Sequence, residues 1–172
     1  MPTYVGALEL TVDDARFDLS FPALVFYPTS TLSETSRIGP YLLELAWESE
    51  VIAGKHPLVV ISHGTGGTHL GYRTLASRLA LSGYVVVMPE HPGNNRNNNE
   101  LAESDANLMY RPRHVSMSID ALVRERRFEN HVDENRVAVI GHSMGGYTAL
   151  AVAGGMPATA QGITVETQPT SG

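Results

Sequence analysis

The segment GHSMG at residues 141–145 is the part of the sequence best suited to carry a nucleophile. It follows an apolar run at 136–140 (RVAVI) that predicts a buried strand, and it precedes a small-residue stretch at 147–153 that predicts a helix. A serine on such a sharp strand-to-helix turn, a nucleophile elbow, presents its hydroxyl at the edge of a sheet. We therefore predict Ser143 as a catalytic nucleophile, the alternative being a glycine-rich turn with an incidental serine.

The residues around Ser143 fit this interpretation. The backbone of the turn must be strained, and Gly141 and Gly145 remove side chains that would clash there. The N–H of Met144, directly after the nucleophile, is one expected donor to an oxyanion formed during acyl transfer. We expect His142 to support the turn by hydrogen bonds.

A second glycine-rich segment, HGTGG at residues 63–67, directly follows the apolar run 58–62 (LVVIS). Backbone N–H groups stabilise a tetrahedral oxyanion well, and glycines let a substrate approach them closely. We predict Thr65 as the second donor of an oxyanion hole, supported by His63 and Gly64. The segment lacks the Gly-Lys-Ser/Thr of a phosphate-binding loop. A plain turn is the remaining alternative.

Short β-branched runs alternate with helix-period segments, which predicts an α/β fold with a mostly parallel sheet that starts antiparallel. We expect one domain over residues 1–157, with a helical and loop insertion at about 29–55, followed by a polar tail at 158–172. The predicted strands are 4–12, 21–27, 58–62, 85–88 and 136–140; the predicted helices are 40–50, 72–81, 112–128 and 147–153; and 90–108 is predicted as a long surface loop.

Composition excludes several classes of function. The 172 residues carry a net charge of -6, without the basic face that a nucleic-acid binder needs. The absence of cysteine excludes disulfides, thiolate metal sites and a cysteine nucleophile. The seven histidines show no metal-ligand spacing, and no apolar run is long enough to span a membrane. Residues 1–6 do not resemble a signal peptide, so the compartment stays open between the cytoplasm and export after processing.

These motifs together resemble the α/β hydrolases, in particular the dienelactone-hydrolase-like group related to the platelet-activating-factor acetylhydrolases. The matching segments are 56–67 (HPLVVISHGTGG), 82–93 (SGYVVVMPEHPG), 111–122 (RPRHVSMSIDAL) and 135–154 (NRVAVIGHSMGGYTALAVAG). The resemblance implies a serine esterase that hydrolyses a small ester or lactone through an acyl-serine, without cofactor or metal. It implies Ser143 as the nucleophile and Thr65 as an oxyanion donor. Where the family commonly has Asp, this sequence has His114, which removes an expected ion pair.

The sequence departs from the family where the catalytic acid and histidine should follow the serine. Residues 144–172 contain no His and no Asp, and Glu166 is their only acid. We do not expect an upstream histidine to replace the base, although His91 follows a strand at the same sheet edge. The strand at 136–140 would also be an exposed apolar edge unless 162–167 (GITVET) pairs with it.

Three explanations for this departure stay open. The catalytic complement lies outside these 172 residues, which is the explanation we favour; or a second chain or dimer mate covers the edge; or the protein is naturally truncated. A catalytically inactive, hydrolase-like binding or assembly module is the alternative function.

Overall fold

The computed structural model describes residues 2–155 of the chain. Within these residues, seven strands and three α-helices follow one another. The strands are β1 (Tyr4–Asp14), β2 (Leu19–Thr29), β3 (Glu34–Ile38), β4 (Tyr41–Trp47), β5 (His56–Ser62), β6 (Val85–Pro89) and β7 (Val132–Gly141). The helices are α1 (Arg73–Leu81), α2 (Asp105–Arg124) and α3 (Met144–Val152), and short 3₁₀ turns cover His69–Tyr72 and Arg126–Phe128.

The strands form one sheet in the order β3-β4-β1-β2-β6-β5-β7. β5 runs parallel to both of its neighbours, β6 and β7, and β1 runs parallel to β4. The other three pairings, β1 with β2, β2 with β6 and β3 with β4, are antiparallel. The predicted α/β class is confirmed, but the sheet is evenly mixed, and its parallel part is centred on β5.

The predicted helix at 40–50 is wrong, because this region forms the hairpin of β3 and β4. Its side chains alternate along β4: Leu42 is exposed, whereas Leu45 is buried. That alternation has the period of a strand, and Gly39 supplies the turn with a positive φ of 54°. β4 then pairs with β1 at Gly6 and Ala7, so the insertion extends the sheet.

Helix α2 begins at Asp105, seven residues before the start predicted at 112. The Ser104 hydroxyl caps its N-terminus by accepting from the backbone N–H of Asn107 at 3.1 Å. Pro112 then lies inside the helix, where it cannot donate to the carbonyl of Leu108. The hydroxyl of Tyr147 on α3 donates to that carbonyl instead, at 2.9 Å. A contact from a distant element therefore satisfies the backbone group that the proline leaves without a donor.

The two faces of the sheet bury separate apolar clusters. Neighbouring residues on a strand point to opposite faces, so Val86 and Val87 of β6 belong to different clusters. The cluster beside α2 includes Val25, Val87, Leu122 and Phe128, and the cluster beside α1 includes Phe26, Val86, Ala76 and Ala80. With both faces covered, the carboxyl ends of β5, β6 and β7 meet at one edge of the sheet.

Strand β7 forms the outer edge of the sheet within the described residues. Its apolar residues Val137 and Ile140 are 40% and 38% exposed, as expected for an unpaired edge. The predicted tail at 158–172, the possible strand at 162–167 and Glu166 lie outside the described residues. None of the helices within residues 2–155 combines the length and apolar character that crossing a bilayer requires.

Candidate active site

Ser143 lies at the turn between β7 and α3, at a backbone conformation of φ 54° and ψ −121°. A non-glycine residue rarely adopts a positive φ, and such strain persists only where the surrounding structure enforces it. Hydrogen bonds hold the turn: the N–H of His142 donates to Ser62 O at 3.3 Å, and that of Gly145 donates to His142 O at 2.8 Å. The Ser143 side chain is exposed at the tip.

Two glycines make this turn possible because backbone packs directly on backbone. A Cβ at Gly141 would lie 1.9 Å from the carbonyl oxygen of Gly145. A Cβ at Gly145 would lie 2.0 Å from the carbonyl oxygen of Ser62 at the end of β5. The first turn of α3 is therefore seated on the strand that leads into the HGTGG segment.

The loop 63–67 lies directly against the elbow. A Cβ at Gly64 would be 3.3 Å from the Cβ of Ser143. Thr65 at the loop tip is exposed, and Gly66 has a φ of 65° that favours glycine. The loop and the elbow enclose an open depression of about 330 Å³ lined by His63, Gly64, Thr65, Gly67, Thr68, Gly71, Tyr72, His142 and Ser143. Met144, Gly141 and Gly145 are part of the elbow itself.

His63 connects the loop to the strand beside it. Its Nδ1–H donates to Gly64 O at 2.8 Å, and its Nε2 accepts from the backbone N–H of His91 at 3.2 Å. Burial lowers the pKa of His63 to about 4, so the ring is neutral at neutral pH. His142, in contrast, is exposed, and its ring centre lies 6.1 Å from that of Tyr72.

Within residues 2–155, no histidine forms a hydrogen bond with the Ser143 hydroxyl. His91, the upstream histidine expected nearest the pocket, is fully buried, bonds Ser62 Oγ at 2.8 Å and faces His114 at 3.4 Å. Burial lowers the pKa of His91 well below its usual range, and the nearby positive charge of Arg111 lowers it further. The described residues therefore hold Ser143 on its strained turn and two glycine-rich segments, but they place no histidine within hydrogen-bond distance of the Ser143 hydroxyl.

Arg111 is a residue of this region that the motifs did not indicate. It is fully buried on α2, where its guanidinium bonds Asn94, Ser62, Thr148 and the carbonyl of His63. Helical spacing could have predicted its burial, since Arg111 lies on the same face of α2 as the buried residues Val115, Ser118 and Leu122. Burial lowers the pKa of Arg111 to about 10, which leaves it charged at neutral pH.

The fold and the turn at Ser143 agree with the protein family whose model matches this sequence. A model of the family described as alpha/beta hydrolase fold matches residues 57–166. That match covers more than half of the sequence, including β5, β6, β7 and the two glycine-rich segments. The chain therefore belongs to the alpha/beta hydrolase fold family, as the resemblance in the sequence implied.

Two sequence relatives place the chain near esterases. It is 25% identical over 190 residues to platelet-activating factor acetylhydrolase of Cavia porcellus, an alignment covering 77% of this chain and 44% of that protein. It is 31% identical over 101 residues to cutinase 2 of Thermobifida cellulosilytica, covering 58% of this chain and 35% of that protein. The chain thus resembles hydrolases of the esterase type and spans less than half the length of these relatives.

Solved structures show the same fold. A ferulic acid esterase from Streptomyces cinnamoneus superimposes with a TM-score of 0.72 at 20% identity, covering 88% of this chain and 55% of that chain. P91, a dienelactone hydrolase-like promiscuous phosphotriesterase from metagenomic libraries, superimposes with a TM-score of 0.59 at 18% identity, covering 87% and 54%. At these identities the superpositions establish the architecture alone.

Proposed function

We propose that this chain carries the nucleophile and the oxyanion hole of a serine hydrolase that cleaves carboxylic esters through an acyl-serine intermediate. One observation carries the proposal: Ser143 is exposed at a strained φ of 54° in the same depression as Thr65. Strain of this kind, enforced by two glycines that pack backbone on backbone, concentrates at functional sites. The names of two relatives, an acetylhydrolase and a cutinase, agree with an ester as the substrate, and we propose that the substrate is a small ester or lactone.

In the proposed reaction, the Ser143 oxygen forms a bond to the acyl carbon while its proton passes to a base. The carbonyl electron pair moves onto oxygen, and the N–H groups of Thr65 and Met144 donate to that oxyanion. Collapse of the tetrahedral intermediate expels the alcohol, which takes up a proton, and leaves an acyl-serine. Water then bonds to the acyl carbon of the acyl-serine and gives up a proton to the base. The bond between that carbon and the Ser143 oxygen breaks, the oxygen takes up a proton, and the carboxylic acid leaves.

The base in this scheme comes from outside residues 2–155, in agreement with the partial coverage of the relatives. We propose that it belongs to a polypeptide segment that pairs with the edge of β7, either in a longer form of this chain or on a second chain. That edge exposes Val137 and Ile140, and Val137 also lies in a groove of about 230 Å³ between β7 and α2, which is lined by apolar and charged side chains. Where a second chain supplies the segment, Val137→Lys should abolish the association of the two chains in sedimentation measurements. Leu42→Lys, at an apolar residue 61% exposed on β4 at the opposite end of the sheet, is the control and should leave it intact.

A fluorophosphonate probe tests the nucleophile directly. Its phosphorus bonds to an activated serine oxygen and fluoride leaves, so intact mass and peptide mapping locate the adduct. We expect one adduct at Ser143, faster when imidazole is added as a proton acceptor, and none in Ser143→Ala. A folded sample that stays unlabelled with imidazole present would refute the nucleophile.

The same experiment decides the second candidate function, a hydrolase-like module that binds and performs no chemistry. The observation favouring it is that, among the described residues, no histidine forms a hydrogen bond with the Ser143 hydroxyl. In that case the depression beside Ser143 retains a ligand without reaction. Equal and reversible binding of a substrate ester by the wild type and by Ser143→Ala, together with no adduct, is the expected signature of this module.

A further inference from the structure

The buried guanidinium of Arg111 on α2 joins that helix to three other parts of the fold. Its Nε donates to the hydroxyl of Thr148 on α3 at 3.0 Å, and its Nη1 donates to Asn94 Oδ1 at 2.6 Å in the loop after β6. Its Nη2 donates to Ser62 Oγ at 3.3 Å and to the carbonyl of His63 at the end of β5. One side chain thus holds α2, α3, β5 and the 90s loop together.

These acceptors are all neutral. Within residues 2–155, no carboxylate lies within ion-pair distance of Arg111, and His114 occupies the position where the resemblance implied an acid. A buried cation is tolerated only when its donors are satisfied, so its acceptors must keep their positions. Asn107 reinforces this arrangement, because its Nδ2 donates to the same Asn94 oxygen at 3.1 Å. The network is therefore rigid by necessity.

Two of the bonds lead to the groups proposed to hold the oxyanion. His63, whose carbonyl accepts from Arg111, stands two residues before Thr65. On the other side, the Thr148 hydroxyl accepts from Arg111 and donates to the carbonyl of Met144 at 2.9 Å. The guanidinium is therefore connected, through one or two hydrogen bonds, to both segments that carry the proposed oxyanion donors.

We propose, building on the function proposed above, that Arg111 is a positioning residue that sets the spacing between the amides of Thr65 and Met144. Arg111 makes no hydrogen bond to Ser143 and does not line the depression, although one of its partners, His63, does. Its role is to hold β5 and α3 at the separation that a tetrahedral oxyanion requires. Small displacements of such donors have large effects on rate, because their preorganisation is what stabilises the transition state.

The test compares Arg111→Met with Arg113→Met, a matched control on the same helix. Arg113 is also held by hydrogen bonds, but to Asp14, away from the depression. We expect the rate of fluorophosphonate labelling at Ser143 to fall about 10- to 100-fold in folded Arg111→Met and to stay near wild type in Arg113→Met. Labelling of folded Arg111→Met at the wild-type rate would overturn the proposal.

A second pair of variants applies if Arg111→Met does not fold. Thr148→Val removes the hydroxyl that connects Arg111 to Met144, whereas Thr148→Ser retains it. We expect slower labelling in the valine variant and recovery in the serine variant. Equal rates in the two variants would contradict the connection through Thr148.

An amide NMR spectrum separates this proposal from the function on which it rests. Loss of Arg111 should shift the amide signals of both Thr65 and Met144, and loss of Arg113 should shift neither. If the wild type is never labelled, the proposed function fails, and these shifts still decide whether Arg111 positions the two amides. Unchanged signals at both amides would refute the positioning role by themselves.

Discussion

Adding one methyl group at Gly145 should separate the elbow from the strand that supports it. The new Cβ would lie 2.0 Å from the carbonyl oxygen and 2.7 Å from the carbonyl carbon of Ser62. Both are backbone atoms inside a paired strand, so no side chain can rotate away to relieve the contact. The first turn of α3 must instead move from β5 by roughly 1 Å to restore ordinary contact distances.

The magnitude follows from overpacking and helix propensity. An overpacked methyl with no room to relax destabilises a protein by about 3 kcal/mol. Alanine in place of glycine inside a helix stabilises the protein by about 1 kcal/mol, because its helix propensity is higher. We therefore expect Gly145→Ala to lower the free energy of unfolding by about 2 kcal/mol. The displacement should also slow labelling of Ser143, because Ser62 leads directly into the loop that carries Thr65.

Gly146 provides the matched control, since it lies in the same helix turn. A Cβ there meets only Gly141, with 3.6 Å to its carbonyl oxygen, which is an ordinary contact. Gly146→Ala should therefore gain about 1 kcal/mol from helix propensity. Urea unfolding followed by far-UV circular dichroism measures the free energies of unfolding of both variants. In thermal unfolding, their melting temperatures should differ by about 10 °C. If the two variants are equally stable, or if Gly146→Ala is less stable than Gly145→Ala, the close packing of α3 on β5 is refuted.

Three further predictions concern strain, an unusual helix contact and acid stability. Ser143→Gly should be more stable than Ser143→Ala by about 1 kcal/mol, because only glycine relaxes at a φ of 54°; equal urea midpoints would argue against strain at the elbow. Tyr147→Phe should cost about 1–2 kcal/mol by leaving the Leu108 carbonyl without a donor; a melting temperature equal to the wild type would contradict this account of the helix proline. Burial lowers the folded-state pKa values of His63 and His114 to about 4, so the unfolded chain takes up these protons first as the pH falls below about 6.5. The free energy of unfolding should then decline by up to about 1.4 kcal/mol per pH unit for each histidine down to pH 4. In His114→Phe, the difference between the free energies measured by urea unfolding at pH 7 and at pH 5 should be smaller by the contribution of one histidine.

Several parts of the fold could be predicted from short segments. The apolar runs of β5 and β6 indicated buried strands because both faces of the sheet are covered there. The run at 136–140 also forms a strand, β7, but the prediction that it is buried is wrong, because β7 is the edge of the sheet within the described residues and is largely exposed. The GHSMG segment indicated a tight turn because its glycines stand where the turn leaves no space for a side chain. These signals are local, so the identity of a few neighbouring residues was sufficient to read them.

Other parts depended on contacts between distant residues. The start of α2 was misplaced because Pro112 looks like a helix beginning, and the Tyr147 hydroxyl that allows the helix to continue past it comes from another element. The hairpin of β3 and β4 was mistaken for a helix because Leu42, Leu43 and Leu45 can be fitted to either period. Pairing of β4 with β1 decides between the two.

The sequence by itself determined the nucleophile candidate, the glycine-rich loop and the membership of a hydrolase family. A strand-to-helix turn of this kind tolerates only a few residue types, and they lie next to one another in the chain. Only the tertiary structure brought Thr65 beside Ser143 and buried Arg111 among neutral acceptors from three other elements. Burial of a charge depends on what surrounds it in space, and no spacing along the chain encodes which distant oxygens will be there to accept its hydrogen bonds.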